Sequence, residues 1–209
     1  MPPSQTKFLG GSDLWNPDSG SFSLGNQRQL VIDAIGDVPP RGAVSPGEAA
    51  RPAGERYTGV VWMHLGAEDL STDALRRAEE RIVVVSGLGG LFAWGDPTPY
   101  YKLKMGASTP RTGKLSRFWS EHLPQLLANE PVIDLLALEQ SAAVPVPNGD
   151  HPWWRVELVG PDGQRSGHHG KAAKGRLARE LCMTDDPYGL LERYNDVDGW
   201  GLNIVRTRD

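Results

Sequence analysis

Two acid-free blocks of basic residues carry the clearest chemical signal in this chain. Residues 101–120 hold Lys102, Lys104, Arg111, Lys114 and Arg117, and residues 163–179 hold Arg165, Lys171, Lys174, Arg176 and Arg179. Cations gathered without counter-charges attract phosphate, and a row of them can follow a nucleic-acid backbone. Acids collect elsewhere, in 68–80 and 185–198, while the net charge is −4 and the isoelectric point about 5.7. That balance argues against a protein coated in cations, and a charge block is also what a solvated face looks like. On a helix turning about 100° per residue, Ala173, Leu177 and Leu181 define an apolar face. Lys174 then lies roughly 60° from its centre, where a side chain lines a groove, and Arg179 lies opposite, toward solvent. The start of that helix, after the His168–His169–Gly170 run, offers free N–H groups to an anion.

Other chemistries find less support. Ser86–Leu91, SGLGGL, follows an apolar run, yet it is no GxxxxGK[ST] phosphate loop and reads first as a tight turn. His64, His122, His151 and the adjacent His168 and His169 have no metal-ligand spacing, so no metal and no cofactor is expected. No GxSxG elbow exists for a serine hydrolase. Trp62 and Trp119 read as core, whereas Trp94, Trp153 and Trp154 stand beside loops or polar strands, where an indole packs or stacks on a base.

These residues need elements to hold them. A helix is expected over Gln27–Ile35, and another from a Ser71 or Thr72 cap to about Arg81. Ile82–Val85 is a β-branched run typical of a strand buried on both faces, and Val132–Leu138 reads as a second. Leu115, Phe118, Trp119, Leu123, Leu126 and Leu127 place a helix over 113–128, kinked at Pro124. Trp153–Val159 and a partner after the Pro161–Asp162–Gly163 turn predict a hairpin. Gly170–Cys182 and Pro187–Tyr194 read as helices and Trp200–Val205 as a last strand. The order predicts an α/β fold, a mixed sheet flanked by helices. At 209 residues the chain fits one domain over 1–209, since single cores run to about 250 residues. The Pro/Gly-rich stretch 38–56 is expected to be a mobile loop. A lone Cys182, no apolar run long enough for a bilayer and an N-terminus unlike an export leader make the cytoplasm the expected compartment, with no membrane partner.

The segment Ser86–Met105, SGLGGLFAWGDPTPYYKLKM, resembles the YaaA peroxide-stress family without gaps. Ser86, Gly87, Leu88, Gly90, Leu91, Asp96, Tyr101, Leu103 and Met105 match its pattern, and Lys102 replaces an arginine. The family's Pro-Pro-Ser-x-x-Lys falls on Pro2, Pro3, Ser4 and Lys7, its Tyr-Thr-Gly on Tyr57, Thr58 and Gly59, and its Phe-Trp on Phe118–Trp119. Its lysine-rich helix falls on Lys171, Lys174, Gly175, Arg176 and Arg179. The chain departs from the pattern at Gln5, Gly89, Ala93, Trp94, Lys104 and Gln140.

The resemblance implies a YaaA-like single α/β domain with a basic groove, a part in limiting peroxide damage, and weak, non-specific binding of nucleic acid. The departures open a second reading, an enzyme of specialised metabolism using the same cleft for a small anionic or nucleotide-like substrate. Enzyme and binding protein both stand at this point, and the sequence names no oligomeric state. The binding set is Ser4, Lys7, Ser86, Gly87, Asp96, Tyr101, Lys102, Lys171, Lys174 and Arg176. Lys7, Ser86, Tyr101, Lys102 and Lys174 are the candidates for a chemical step, expected to converge on one pocket.

Overall fold

The computed structural model describes residues 1–36, 47–148, 150–161, 163 and 168–206. Its α/β architecture is assembled from several small sheets rather than one broad one. Val83–Ser86 and Gly90–Ala93 form a tight antiparallel hairpin, and Asp13–Leu14, Ala49–Pro52 and Pro97–Pro99 form a second, three-stranded antiparallel sheet. A mixed sheet orders Gly201–Arg206, Trp153–Val159 and Val132–Asp134, the last pair running parallel. One continuous cluster of buried side chains, including Trp15, Phe92, Tyr101 and Trp119, joins the hairpin to the helices.

The expected helix before the hairpin runs Thr72–Arg81, with Ser71 accepting from Ala74 N at 3.3 Å as its cap. The long helix His168–Met183 packs against the short helix Val60–Leu65. Gly175 sits at their closest approach, where a Cβ would lie 2.3 Å from the Val61 carbonyl oxygen, so any other residue would push the helices apart. Three arginines close the helix ends. Arg179 is half-buried rather than solvated, and donates to the carbonyls of Leu65, Gly66 and Asp69. Arg77 and Arg81 donate to the carbonyls at 181–184, at the end of the long helix, where the backbone dipole favours a cation.

Several expectations differ from what the chain does. Trp153–Val159 finds its antiparallel partner in Gly201–Arg206, with Val159 opposite Gly201 and Trp154 opposite Arg206. The partner expected just after Gly163 falls on residues 164–167, outside those described, and the long helix starts at His168. The helix expected over 113–128 ends at Ser120, and Pro124, lacking an N–H, opens a separate 3₁₀ turn over Pro124–Leu127. The strand at Val132 stops at Asp134, whose carboxylate accepts from Leu136 N at 2.8 Å and turns the chain. In the 38–56 stretch, residues 38–46 lie outside those described, while Ala49–Pro52 is a strand and Ala53–Arg56 a helical turn. No helix among the described residues is long and apolar enough to cross a membrane.

A cavity of about 560 Å³ separates the hairpin from the mixed sheet, lined by Met1, Val83, Val85, Val132, Ile133 and Leu135 among others. Met1 pairs with the rim of this slot as one residue of a parallel ladder. Its amine donates to Val83 O at 2.7 Å and its carbonyl accepts from Val85 N at 3.1 Å. Four apolar β-branched residues appended before Met1 should therefore extend the ladder into the slot. With a net gain of about 2 kcal/mol, the melting temperature should rise by roughly 5 °C, whereas a Gly-Ser extension of equal length should not raise it. Equal melting temperatures for the two extensions would mean that the slot does not accept a strand.

Candidate functional site

The site is organised by the turn of the Val83–Gly90 hairpin. Ser86 ends the first strand, and its Oγ accepts from Leu88 N at 3.1 Å and Gly89 N at 3.2 Å. Gly87 has Leu103 O and Lys104 C at 2.9 and 3.0 Å from where a Cβ would stand. Only glycine lets the Tyr101–Met105 segment lie this close, and that contact brings Tyr101 to Ser86. Trp119 pins the turn by donating Nε1–H to the Gly87 carbonyl at 2.9 Å.

From Ser86 a buried row of hydroxyls leads outward. Ser86 Oγ lies 2.7 Å from Tyr101 Oη, which lies 2.8 Å from Tyr57 Oη. Both Ser86 lone pairs are taken by N–H donors, so its own proton goes to a tyrosine hydroxyl, and the Tyr101–Tyr57 bond can run in either direction. Burial pushes the Tyr101 phenol up to about 12 and the Tyr57 phenol well above its ordinary value, so both remain protonated at neutral pH.

Lys7 closes this row. It forms an isolated antiparallel bridge with Tyr57, and its ammonium sits 4.1 Å from the Tyr101 ring centroid and 5.4 Å from that of Tyr57. It donates to the Ser4 carbonyl at 2.6 Å, while Ser4 Oγ accepts from Thr58 N at 3.1 Å. Burial first, then the charges of Arg56 and Lys102, pull Lys7 down from 10.5 to about 8. The buried Arg56 is bound to carbonyls alone, those of Thr98, Phe8 and Ala49. Among the described residues no carboxylate forms an ion pair with Lys7, Arg56 or Lys102.

The structure thus brings Ser4, Lys7, Ser86, Gly87, Tyr101 and Lys102 together. It employs other members of the expected set elsewhere. Asp96 is buried and accepts from Ser21 N, Ser21 Oγ and Ala93 N at 2.9, 2.7 and 2.8 Å, which fastens the N-terminal loop to the second hairpin strand. Lys174 donates to Leu136 O at 3.3 Å; burial pulls its ammonium down, partly offset by Asp134. Arg176 is held by Asp196 through two bonds of 2.7 and 2.8 Å and by Asp198 at 2.7 Å. Lys171 is exposed on the same helix, and Arg165 lies outside the described residues. Tyr57 and Arg56 belong to the site although neither was singled out for it; the Tyr57–Thr58–Gly59 motif was the available signal for the first.

Beside this group lies the first basic block. Lys102, Lys104, Arg111, Lys114 and Arg117 are all exposed. Lys102 and Lys104 lie in the segment before the hairpin, and Arg111, Lys114 and Arg117 stand on the Ser108–Thr109/Gly113–Lys114 hairpin and the Leu115–Ser120 helix, with the Thr109 and Thr112 hydroxyls 2.8 Å apart in the turn. Trp94 and Trp153 are buried, and Trp154 stacks on Tyr188 at 4.4 Å, so none of the three indoles presents an open face for a base.

Comparison with known proteins agrees with the landmarks. The family model described as peroxide stress protein YaaA matches residues 26–195. A UPF0246 protein of Streptomyces coelicolor is 36% identical over 160 residues, covering 71% of this chain and 61% of the relative. UPF0246 proteins of Corynebacterium efficiens and Corynebacterium glutamicum are 31% and 30% identical, each covering 88% of this chain and 84% of the relative. The chain therefore spans less than two thirds of the Streptomyces protein and most of the other two. With a matching family model over most of its length, this chain belongs to the YaaA peroxide stress protein family.

Proposed function

We propose that this family member acts in the cytoplasm by binding the phosphate backbone of nucleic acid, weakly and without sequence preference, through the exposed face of residues 102–117. One observation carries this reading: Lys102 and Lys104 before the hairpin, Lys114 on it and Arg117 on the helix after it are all exposed, with no acid between Asp96 and Glu121 in the sequence. The helix 168–183 contributes less than its composition implies, because Arg176 and Arg179 are committed to acids and carbonyls. The basic surface is therefore centred on the hairpin.

With about four phosphate contacts on duplex DNA, the logarithm of the affinity should fall against the logarithm of salt with a slope of about −3 to −4. Lys102→Ala, Lys104→Ala and Lys114→Ala should each flatten it by about 0.9, and Lys171→Ala should leave it unchanged. Retention that ignores salt, or no retention at low salt, would remove the reading.

A second reading, an enzyme or receptor for a small anionic or nucleotide-like ligand, is favoured by the Lys7–Tyr101–Ser86 group. There a cation and a row of hydroxyls meet without a counter-charge.

A further inference from the structure

Lys7 has an environment that an ordinary structural lysine avoids. A half-buried ammonium is normally offset by a carboxylate, because loss of hydration costs several kcal/mol, by rough measure, unless charge or hydrogen bonds replace it. Here the groups facing it are the rings of Tyr57 and Tyr101, the Ser4 carbonyl, and the like charges of Arg56 and Lys102. No acid faces it from the N-terminal segment, from Arg56–Tyr57 or from Tyr101–Lys102. Arg56 is fully buried and turned toward carbonyls, whereas Lys7 is half-buried and Lys102 exposed, so these two lysines are the cations an outside ligand can reach. Beside it the Ser86, Tyr101 and Tyr57 hydroxyls are buried and hydrogen-bonded to one another, so they wall the site rather than donate into it. A lysine held on two aromatic faces, with a second lysine nearby, forms a set of donors for anionic oxygens.

We propose that Lys7 and Lys102 form a receptor for the phosphoryl group of a small ligand, sharing Lys102 with the backbone-binding face but separate from Lys104 and Lys114 on it. The proposal rests on the small-ligand reading above and names its chemistry. Binding also carries a proton. Lys7 is depressed by burial and like charge, and an arriving anion reverses the second cause, so the bound state holds the lysine protonated. The sign follows directly: near pH 8 binding takes up a proton, and well below pH 8 the lysine is already charged and takes up none.

The test is calorimetric titration of the full chain with pyrophosphate, in two buffers of different ionisation heat. At pH 8 the native chain should take up about half a proton more per pyrophosphate bound than Lys7→Arg, the ligand's own titration being common to both, and this excess uptake should fall to nearly none at pH 6.5. Lys7→Met should weaken binding by about tenfold or more and abolish the excess uptake. Lys7→Arg should retain much of the binding yet show only the ligand's own uptake, since its guanidinium stays protonated, and this variant keeps the test alive if the methionine chain folds poorly. Lys114→Ala should weaken DNA binding and leave pyrophosphate unchanged, which separates the receptor from the backbone face. Pyrophosphate that binds with no excess proton uptake at pH 8, or equally well to Lys7→Met, would overturn the proposal while sparing the small-ligand reading. No binding of pyrophosphate at any of these pH values would overturn both.

Discussion

Arg28→Met is expected to cost at least about 4 kcal/mol of stability, enough to bring the chain to the edge of unfolding if total stability lies near the lower end of the usual range of about 5–15 kcal/mol. Arg28 is completely buried, and its guanidinium satisfies four main-chain carbonyls. Nε donates to Gly89 O at 3.0 Å, Nη2 to Leu91 O at 2.8 Å, and Nη1 to Pro17 O at 3.1 Å and to Ser19 O. Two of those carbonyls belong to the hairpin that carries Ser86 and two to the N-terminal loop, so one side chain fastens the loop to the site. Asp96 and Asp18 supply its counter-charge, and methionine would leave the buried Asp96 carboxylate without it. Urea denaturation checks the prediction. With a slope of about 2–3 kcal/mol per molar, the midpoint should fall by roughly 1.5 M. A fall below about 0.3 M would mean that water replaces the guanidinium freely and that the loop is not held by it.

The second large effect is chemical. At pH 8 a lysine with a pKa of about 8 is half unprotonated, whereas an ordinary one at 10.5 is unprotonated to only about 0.3%. Trace labelling with a small acyl reagent at pH 8 should therefore modify Lys7 on the order of 100-fold faster than a lysine that titrates at 10.5, before any shielding by its half-buried setting. Peptide mass spectrometry reads the rates site by site. Stability should follow the same proton. Lys7 is depressed in the folded chain, so between about pH 8 and 10.5 the unfolded chain binds more protons, and stability rises with pH across that window. The stability of the native protein minus that of Lys7→Met should climb by up to about 3 kcal/mol from pH 8 to 10.5, less whatever solvent screening removes, and stay flat below pH 8. A difference independent of pH would place Lys7 in ordinary solvent.

Local features of the fold were legible in the sequence. The Ser71 cap, the β-branched run before Ser86 and the apolar spacing of Ala173, Leu177 and Leu181 each depend on near neighbours, and each element is present. What escaped was non-local. Trp153–Val159 pairs with a strand that begins at Gly201, and no turn signal beside Gly163 could reveal a partner so distant. Arginine was misjudged for a related reason. Arg179 reads as a solvated charge and nothing in the sequence singles out Arg28 or Arg56, yet each serves main-chain carbonyls of segments remote in sequence, and carbonyls leave no trace in residue types. The site divides along the same line. Ser86, Tyr101 and Lys7 were found through their motifs, but their convergence depends on the close approach of backbone at Gly87. Asp96 shared those motifs and serves instead to hold the loop at Ser21.

One measurement tests most directly the proposal that residues 102–117 bind nucleic acid: the acylation rate of each of the six lysines with and without a saturating short DNA duplex at low salt. Lys102, Lys104 and Lys114 should be protected together and released together as salt is raised, while Lys171 and Lys174 keep their DNA-free rates. Protection of Lys171 and Lys174 with the hairpin lysines unaffected would contradict this, and would place the interface on the 168–183 helix instead.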